Sequence, residues 1–421
     1  MLNNSLKAKT IKVLRNIEKY TKTDMVYLTK SSFWSLFSQG IGSLCSFFVV
    51  LLLANILTKE SFGQYRFILS LIPILSIFTL PGIGITLMRS VARGNRVNLW
   101  EIAKTKIRWS LLGSLVAFGM STYYFYNNNM QFTIAMSIIA LSLPFVETFY
   151  IYSSYYKGKQ DFKTSAIYEV FSRIFQSIIL IVAALSHNII VLLTAFFVGQ
   201  IIVRYFFYKK TVKKIKIHVG DQSLDIQDDT ITYGKHLTLV TTLTTITNNM
   251  DVLLIGHFLG STVLAIYYVA LAIPKNFILI FNIIPRIAFP KFSQKEWNKH
   301  ERTSIFRKIL LMFFCLLFFA SIYALCVPFV IHIFFKAYSA SIDTAVFLSL
   351  LIILSPLNAI IGQVVYSRKL ITKIILLELV SFFVFTLVFL LMYKVHGATG
   401  AATALILSEL VIFVTGIVFI Q

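Results

Sequence analysis

The sequence has few charged residues and few of the residue patterns that carry enzyme chemistry. Asp, Glu, Lys and Arg make up 13% of the chain, about half of the roughly 25% found in an average soluble protein. The three cysteines, Cys45, Cys315 and Cys326, stand far apart inside apolar runs. Their spacing excludes a zinc ligand set and a disulfide framework, so no metal or disulfide is expected.

Two further absences narrow the class of protein. No Gly-rich phosphate-binding loop ending in Lys-Ser or Lys-Thr occurs, so direct use of ATP is not expected. The seven histidines are scattered among loops and ends of apolar runs, without metal-ligand spacing: His187, His218, His236, His257, His300, His332 and His396. The sequence therefore predicts no catalytic centre and no cofactor.

Apolar residues, in contrast, account for 57% of the sequence and recur in long runs. A helix of about 20 apolar residues crosses the roughly 30 Å of membrane hydrocarbon. The pattern predicts an all-α integral membrane protein with about twelve spans. We place them at residues 31–57, 67–89, 108–126, 131–156, 162–186, 188–208, 233–257, 263–288, 306–334, 342–366, 370–393 and 397–420.

Positive residues alternate between the connections of these spans. Most of the 39 Lys and Arg residues fall in the N-terminal segment and in every second connection, whereas the other connections contain only Lys59, Arg66, Lys336 and Lys394. Positive residues are retained on the cytoplasmic side, so both termini are predicted to be cytoplasmic. The net charge of +22 is then explained by basic loops beside an anionic leaflet, and no nucleic-acid partner is expected.

A short corner between two apolar runs occurs twice. ANILTKESFGQY at 54–65 is followed half a chain later by GHFLGSTVLAIY at 256–267, and Leu57 and Tyr65 correspond to Leu259 and Tyr267. Two halves of six spans run the same way through the membrane. We expect bundles over residues 31–208 and 233–420, joined by a cytoplasmic linker at 209–232. Residues 1–30 are either an amphipathic surface helix or a solvated basic tail.

Polar residues follow one side of the first span of each half. Gln39, Ser43 and Ser46 occupy the positions equivalent to Thr241, Thr245 and Asn248. Small polar residues often serve close helix packing, but two matching stripes favour helices that face a shared water-filled cleft. The following spans contain Pro73 and Pro81-Gly82-Ile83-Gly84, and Pro274 and Pro285. These spans are expected to bend or break and to be moving parts.

Several charges lie within the predicted spans, and each needs a partner or cavity water. They are Glu147, Glu169, Arg173, Asp251, Lys275, Glu378 and Glu409. Glu169 and Arg173 are one helical turn apart and are expected to pair. Asp251 stands in the unusually polar seventh span.

The repeated corner and its surroundings resemble a known family. The segments are LANILTKESFGQYRFILSLIPIL at 53–75, PGIGITLMRSVARG at 81–94, NNMDVLLIGHFLGSTVLAIYYVA at 248–270 and GATGAATALILSELV at 397–411. They resemble the bacterial polysaccharide flippases of the O-antigen type, in the multidrug/oligosaccharidyl-lipid/polysaccharide exporter superfamily. The resemblance implies two pseudo-symmetric six-helix bundles around a central cavity. It also implies a flippase, not an enzyme, which moves an undecaprenyl-pyrophosphate-linked oligosaccharide to the outer leaflet by alternating access.

Such a substrate suggests roles for individual residues. A pyrophosphate needs cations, for which we select Arg89, Arg173, Lys235, Lys275 and Arg286. Hydrogen bonds to sugars are expected from Gln39, Thr241, Thr245, Asn248 and Asn249. Because the charges inside the spans are mainly acidic, Asp251 and Glu147 are assigned to coupling with H⁺ or Na⁺.

Two other functions remain as alternatives to the predicted flippase. A multidrug or small-cation antiporter of the same superfamily would use the acidic residues, whereas a membrane polysaccharide polymerase would need a large segment outside the membrane. We expect membrane lipids and polysaccharide polymerase machinery as partners, and the bacterial cytoplasmic membrane as the location.

Overall fold

The computed structural model describes residues 25–219 except 96, 228–281, 299–367 and 371–420. All regular elements in these ranges are helices. The helices of the first half are α1 (Met25–Ile56), α2 (Lys59–Leu75), α3 (Gly82–Ala92), α4 (Leu99–Tyr126), α5 (Met130–Phe149), α6 (Ile151–Gly158), α7 (Phe162–Ala184) and α8 (Ile189–Val219). Those of the second half are α9 (Asp228–Thr247), α10 (Met250–Phe258), α11 (Ser261–Phe281), α12 (Lys299–Phe334), α13 (Ile342–Phe347), α14 (Leu350–Ser367) and α15 (Ile371–Ile420).

The two copies of the repeated corner turn by different local means. In the first, the Thr58 hydroxyl accepts a hydrogen bond from the backbone N–H of Ser61 at 3.2 Å and caps the start of α2. In the second, Gly260 adopts a φ of +82° before α11 begins, a conformation that costs glycine little. Both copies therefore begin a new helix: α2 starts at Lys59, before the predicted start of the second span at residue 67, and α11 starts at Ser261, close to the predicted residue 263.

Several predicted spans are broken helices. The second span consists of α2, a 3-10 turn at Ser76–Thr79 and α3, and the break at Leu80 (φ 53°) and Pro81 confirms the expected interruption. The seventh span breaks between α9 and α10 at Asn248 and Asn249. Pro73 and Pro274, however, lie within the continuous helices α2 and α11.

Length and composition alone identify fewer spans than twelve. Within the described ranges, eight helices are long and apolar enough to cross a membrane, or nine if the bent pair Lys336–Phe347 and Leu350–Val365 is one span. The predicted spans at 108–126 and 233–257 are not among these helices; the first contains several Ser and Tyr residues, and the second is rich in Thr. The last two spans are counted as one helix, although Gly397 (φ 52°, ψ −123°) breaks it.

The two halves pack directly against each other. Helix α2 lies along α11, and Gly63 faces the backbone of Ser261. Helix α3 packs on α9, where the backbone N–H of Gly82 donates to the Thr238 hydroxyl at 3.2 Å. Large apolar side chains are exposed on the outer surface, as lipid contact requires; examples are Leu115, Leu325 and Leu391. The predicted all-α membrane fold of two bundles is confirmed.

The region between the halves differs from the expected linker. Helix α8 continues to Val219, so the basic first part of residues 209–232 is helical. Helix α9 already begins at Asp228. The predicted N-terminal surface helix falls mainly on residues 1–24, outside the described ranges.

Candidate functional site

Two adjoining cavities share part of their lining, one inside the first bundle and one between the two halves. The first, of about 330 Å³, is enclosed by α1, α2, α7 and α8, and we call it the first-bundle cavity. The second, of about 300 Å³, lies between α2, α5, α8, α10 and α11, and we call it the interbundle cavity. Both are lined by Arg66, Leu69, Phe196, Gln200 and Arg204. Together they form a chamber at the contact of the two halves.

Arg66 stands at the junction of the two cavities. Its Nη1 donates to the hydroxyl of Tyr268 at 3.1 Å, and its guanidinium carbon lies 4.1 Å from the centre of that ring. The ring of Phe62 is 5.2 Å away. Its Nε is buried and has no hydrogen-bond partner among the described residues, and Arg66 belongs to the lining of both cavities.

Arg204 is held between an acid and an aromatic ring. Its Nη1 donates to Glu147 Oε1 at 3.1 Å and to the Val146 carbonyl at 2.7 Å. The guanidinium carbon lies 4.8 Å from the centre of the Tyr150 ring. Glu147, which we assigned to ion coupling, is therefore one half of an ion pair on the chamber wall.

Glu169 has a different partner from the one predicted. Its Oε1 accepts hydrogen bonds from Lys157 Nζ and Ser153 Oγ, both at 2.8 Å, and from the Tyr150 hydroxyl at 3.1 Å. The expected pair with Arg173 is wrong within the described chain, because the end of the fourth span brings three donors to this carboxylate. Arg173 therefore does not pair with Glu169, and it lines the first-bundle cavity.

The position of Arg173 depends on a glycine of the first helix. The Arg173 side chain lies against Gly42, where a Cβ would stand 2.7 Å from Arg173 Cδ and 2.8 Å from Nε. Such distances are shorter than van der Waals contact, so a larger residue would displace the arginine. The polar stripe of the first span thus contributes space as well as side chains.

The second half contributes Lys275 and Asn249 to the interbundle cavity. Lys275 is exposed to it. Asn249 lies in the break between α9 and α10, and its Nδ2 donates to the Thr245 carbonyl at 2.8 Å, which leaves its carbonyl oxygen as an acceptor. The broken seventh span therefore presents one of the predicted amide side chains to the chamber.

The chamber contains more positive than negative groups. Arg66, Arg173, Arg204 and Lys275 line it, against Glu147 and Glu169. Both acids are in ion pairs, with Arg204 and Lys157. Among the described residues Arg66, Arg173 and Lys275 have no salt bridge within 4.0 Å. The charged groups that line the chamber are therefore mainly basic, although the charges within the predicted spans are mainly acidic.

The other predicted binding residues lie elsewhere or bond to their own helix. Thr241 and Thr245 donate to the carbonyls of Thr238 and Thr241, and Gln39 and Asn248 do not line either cavity. Arg89 is exposed in the last turn of α3. Lys235 lies over the ring of Trp109 at 5.1 Å. Arg286 is outside the described residues.

Asp251 is buried at the start of α10 instead of lining the chamber. Only 6% of it is exposed, and its Oδ2 accepts a hydrogen bond from the Tyr267 hydroxyl at 2.9 Å. The other oxygen, Oδ1, is buried without a hydrogen-bond partner among the described residues. Within the described residues as a whole, no group of three His, Cys, Asp or Glu side chains is arranged to hold a metal.

The sequence reading missed Arg66 and Arg204. Hydropathy placed Arg66 in a connection and Arg204 at the end of the sixth span, because each stands near the edge of an apolar run. The repeat contained one signal: Arg66 falls at the position equivalent to Tyr268, and a cation opposite an aromatic residue near the axis of two related halves suggests a contact.

The fold defines a class of multi-pass membrane proteins. It is similar to an outward-facing multidrug resistance MATE family transporter of the MOP superfamily, with a TM-score of 0.65, 12% identity and 94% of each chain covered. An inward-facing MATE family transporter of that superfamily gives a TM-score of 0.61, with 12% identity over 94% of this chain and 97% of the other. A MOP superfamily transporter from Pyrococcus furiosus, for which a binding pocket of reverse polarity is described, gives 0.57 with 11% identity over 94% of each chain.

The family follows from the sequence itself. Residues 52–342 match the family of polysaccharide biosynthesis proteins, which is more than half of the chain. The chain belongs to that family. A search of curated proteins gave no match.

Proposed function

We propose that the chain is a flippase that moves an undecaprenyl-pyrophosphate-linked oligosaccharide across the bacterial cytoplasmic membrane. The observation that carries the proposal is the cationic chamber between the two halves. Arg66, Arg173 and Lys275 face it without a salt bridge in the described chain. Arginine binds phosphate oxygens through a planar fork of donors, so these residues would hold the pyrophosphate.

The rest of the chamber suits a sugar chain. Gln176, Gln200 and Asn249 are on its walls and offer amides to hydroxyl groups. The polyprenyl tail would stay in the hydrocarbon, outside the bundles. Membership of the polysaccharide biosynthesis family supports a saccharide as the cargo.

Alternating access of the two bundles is the proposed mechanism. The halves touch where α2 meets α11 and where α3 meets α9. Separation of one contact at a time would open the chamber first to the cytoplasm and then to the outer side. Both termini would be cytoplasmic, as the basic connections predict.

We further propose that H⁺ or Na⁺ drives the cycle, with Asp251 as the coupling group. A carboxylate buried within a membrane protein is costly unless it is neutralised, and Asp251 has one oxygen without a partner. The ion pair of Glu147 with Arg204 makes Glu147 the less favoured coupling group. Contact with polysaccharide polymerase machinery remains part of the proposal.

A small-cation antiporter is the competing function. Its cargo would need free carboxylates in the chamber, but both lining acids are paired. Deletion of the gene followed by analysis of lipid-linked intermediates separates the two. We expect complete repeat units to accumulate on the cytoplasmic leaflet and to be cleared when the gene is restored. Unchanged glycans with altered drug tolerance would instead support the antiporter.

A further inference from the structure

A second cavity region lies outside the chamber, at the end of the first bundle where α6 ends and α7 begins. This cleft of about 490 Å³ lies between α6, α7 and α8, within the roughly 300–1,000 Å³ typical of small-molecule sites. Lys210, Lys213 and Lys214 line one side of it. None of these lysines lines the chamber, so the transport site does not account for them.

The floor of the cleft is rigid and aromatic. Tyr156 and Tyr168 line it and are buried. The Tyr168 ring stacks on Phe207 with a centroid distance of 4.0 Å. Lys210 Nζ lies 5.5 Å from the centre of the Tyr168 ring, and Lys214 Nζ lies 5.6 Å from that of Tyr156. These contacts place the ammonium groups at the cleft instead of leaving them as free solvated chains.

No Asp or Glu is among the described residues that line the cleft, and Asp161, which bonds to the lining residue Thr164, is already engaged. Both carboxylate oxygens of Asp161 accept from Thr164, Oδ1 from the backbone N–H at 3.1 Å and Oδ2 from the hydroxyl at 2.7 Å. They cap the start of α7. Thr164 itself lines the cleft. The cleft therefore presents lysine ammonium groups, which suit an anion.

Two ridges of exposed side chains lead from the cleft onto the lipid-facing surface. On α8, the exposed residues at successive turns are Val198, Ile202 and Phe206, and the next is Lys210. On α7 the order is reversed, with Lys163 followed by Ile167 and Phe171. Ile167 and Lys210 both line the cleft, so the two ridges change from basic to apolar beside it. Such a change marks the membrane interface, where lysine chains reach the headgroups.

We infer that this cleft binds the phosphate headgroup of a membrane lipid, with the lysines on the phosphate and the acyl or prenyl chain along Ile167 and Phe171. Chemistry and geometry agree on this occupant: the cations are at the polar end and the exposed apolar residues are below them. A soluble phosphate would use only the first of these features. The inference does not depend on the proposed transport, because it concerns a surface outside the chamber.

The test uses full-length protein purified in mild detergent and incorporated into nanodiscs of phosphatidylcholine with 10% of a probe lipid. Phosphatidylglycerol and undecaprenyl phosphate are the two probes, and the retained lipid is measured by native mass spectrometry. The test variant is Lys210→Gln with Lys213→Gln. The matched control is Lys209→Gln with Lys104→Gln, two exposed lysines that do not line the cleft.

We expect the test variant to lose about tenfold or more in retention of the phosphate-headed probe, since each lysine near an anionic lipid contributes about a factor of five. The control should stay within about twofold of the unmodified protein. Retention of phosphatidylglycerol would identify a bulk phospholipid, and retention of undecaprenyl phosphate alone would identify a carrier lipid; either supports the inference. Equal retention in the test variant and the unmodified protein would overturn it.

Two further measurements test whether the ligand is a soluble phosphate and whether the lipid chain uses the apolar residues. Inorganic phosphate at 50 mM should leave lipid retention unchanged, and displacement of the lipid would assign the cleft to soluble phosphate and overturn the inference. Substitution of Ile167→Asn with Phe171→Asn should also lower retention, because the chain loses its apolar path. No loss in that variant would contradict the lipid occupant. Export by the lysine variant is scored separately, so loss of lipid binding with normal export still leaves the proposed function intact.

Discussion

Arg66 of α2 and Tyr268 of α11 touch each other although they are separated by 202 residues in the chain. The same offset relates Leu57 to Leu259 and Tyr65 to Tyr267 in the two repeated corners. Equivalent positions of two related halves can meet only near the axis that relates them, as in any two-fold arrangement. The contact therefore marks the pseudo-symmetry axis. The chamber that Arg66 lines lies on it, between the parts proposed to move.

Replacement of Arg66 should impair export strongly. Arg66→Ala removes a cation at the junction of both cavities, and the loss of charge-assisted hydrogen bonds of about 1.5–3 kcal/mol corresponds to roughly 10- to 100-fold. Arg66→Lys should recover only part of the rate, because an ammonium lacks the planar fork. Export is measured as surface polymer per unit of membrane-inserted protein. Arg93→Ala, on an exposed arginine outside both cavities, is the control, and equal effects of the two alanine variants would argue against the proposed role.

A small residue at position 42 should be needed for the placement of Arg173. Gly42→Ala puts a methyl group 2.7 Å from Arg173 Cδ, so the arginine must move and substrate capture should fall several-fold. Gly40→Ala is the matched control on the same helix, since nothing lies within 4 Å of a Cβ there. The effect should vanish in an Arg173→Ala background. If Gly42→Ala still lowers export in that background, the glycine acts through helix packing.

The ion pair of Glu147 and Arg204 should contribute to stability. Glu147→Gln leaves Arg204 without its charged partner, and we expect a loss of about 1–2 kcal/mol, less than for a fully buried pair because the side chains are 32% and 19% exposed. The double variant with Arg204→Gln should lose less than the sum of the single variants. Thermal unfolding of the purified proteins measures this coupling. Strict additivity would mean that the pair is not energetically connected.

Asp251→Asn should remove the dependence of export on an ion gradient. The carboxylate is buried beside the Tyr267 hydroxyl, so the amide fits in shape but cannot change its charge. Export is compared in vesicles with and without imposed H⁺ and Na⁺ gradients. Tyr267→Phe is the control, because it removes the hydrogen bond and leaves the carboxylate in place. Full gradient-driven export by the asparagine variant would exclude Asp251 from coupling.

The sequence predicted the helical plan well because each span needs an apolar surface toward lipid, and that need is visible as hydropathy. The corners at Thr58 and Gly260 and the break at Pro81 also follow from local residue chemistry. The composition of the chamber required three-dimensional packing. Glu169 had two cations within reach in principle, and only the placement of Lys157 decided its partner. The role of Arg66 could not be predicted, because the hydropathy near the end of a span is the same whether a charged side chain faces water or the protein interior.

Gly82 should control the separation of the two halves where α3 meets α9. A Cβ at this position would stand 2.7 Å from the backbone nitrogen of Thr238 and 2.8 Å from its hydroxyl oxygen, so Gly82→Ala holds α3 away from α9 and weakens the Gly82–Thr238 hydrogen bond. Spin labels on cysteines introduced at Met88 and Lys235, with Cys45, Cys315 and Cys326 replaced, report the distance between these helices. We expect the distribution in Gly82→Ala to shift toward longer distances. Gly84→Ala is the control, because its Cβ would meet only the Ser154 hydroxyl at 3.1 Å. An unchanged distribution in Gly82→Ala, or the same shift in Gly84→Ala, would show that this contact does not hold the halves together.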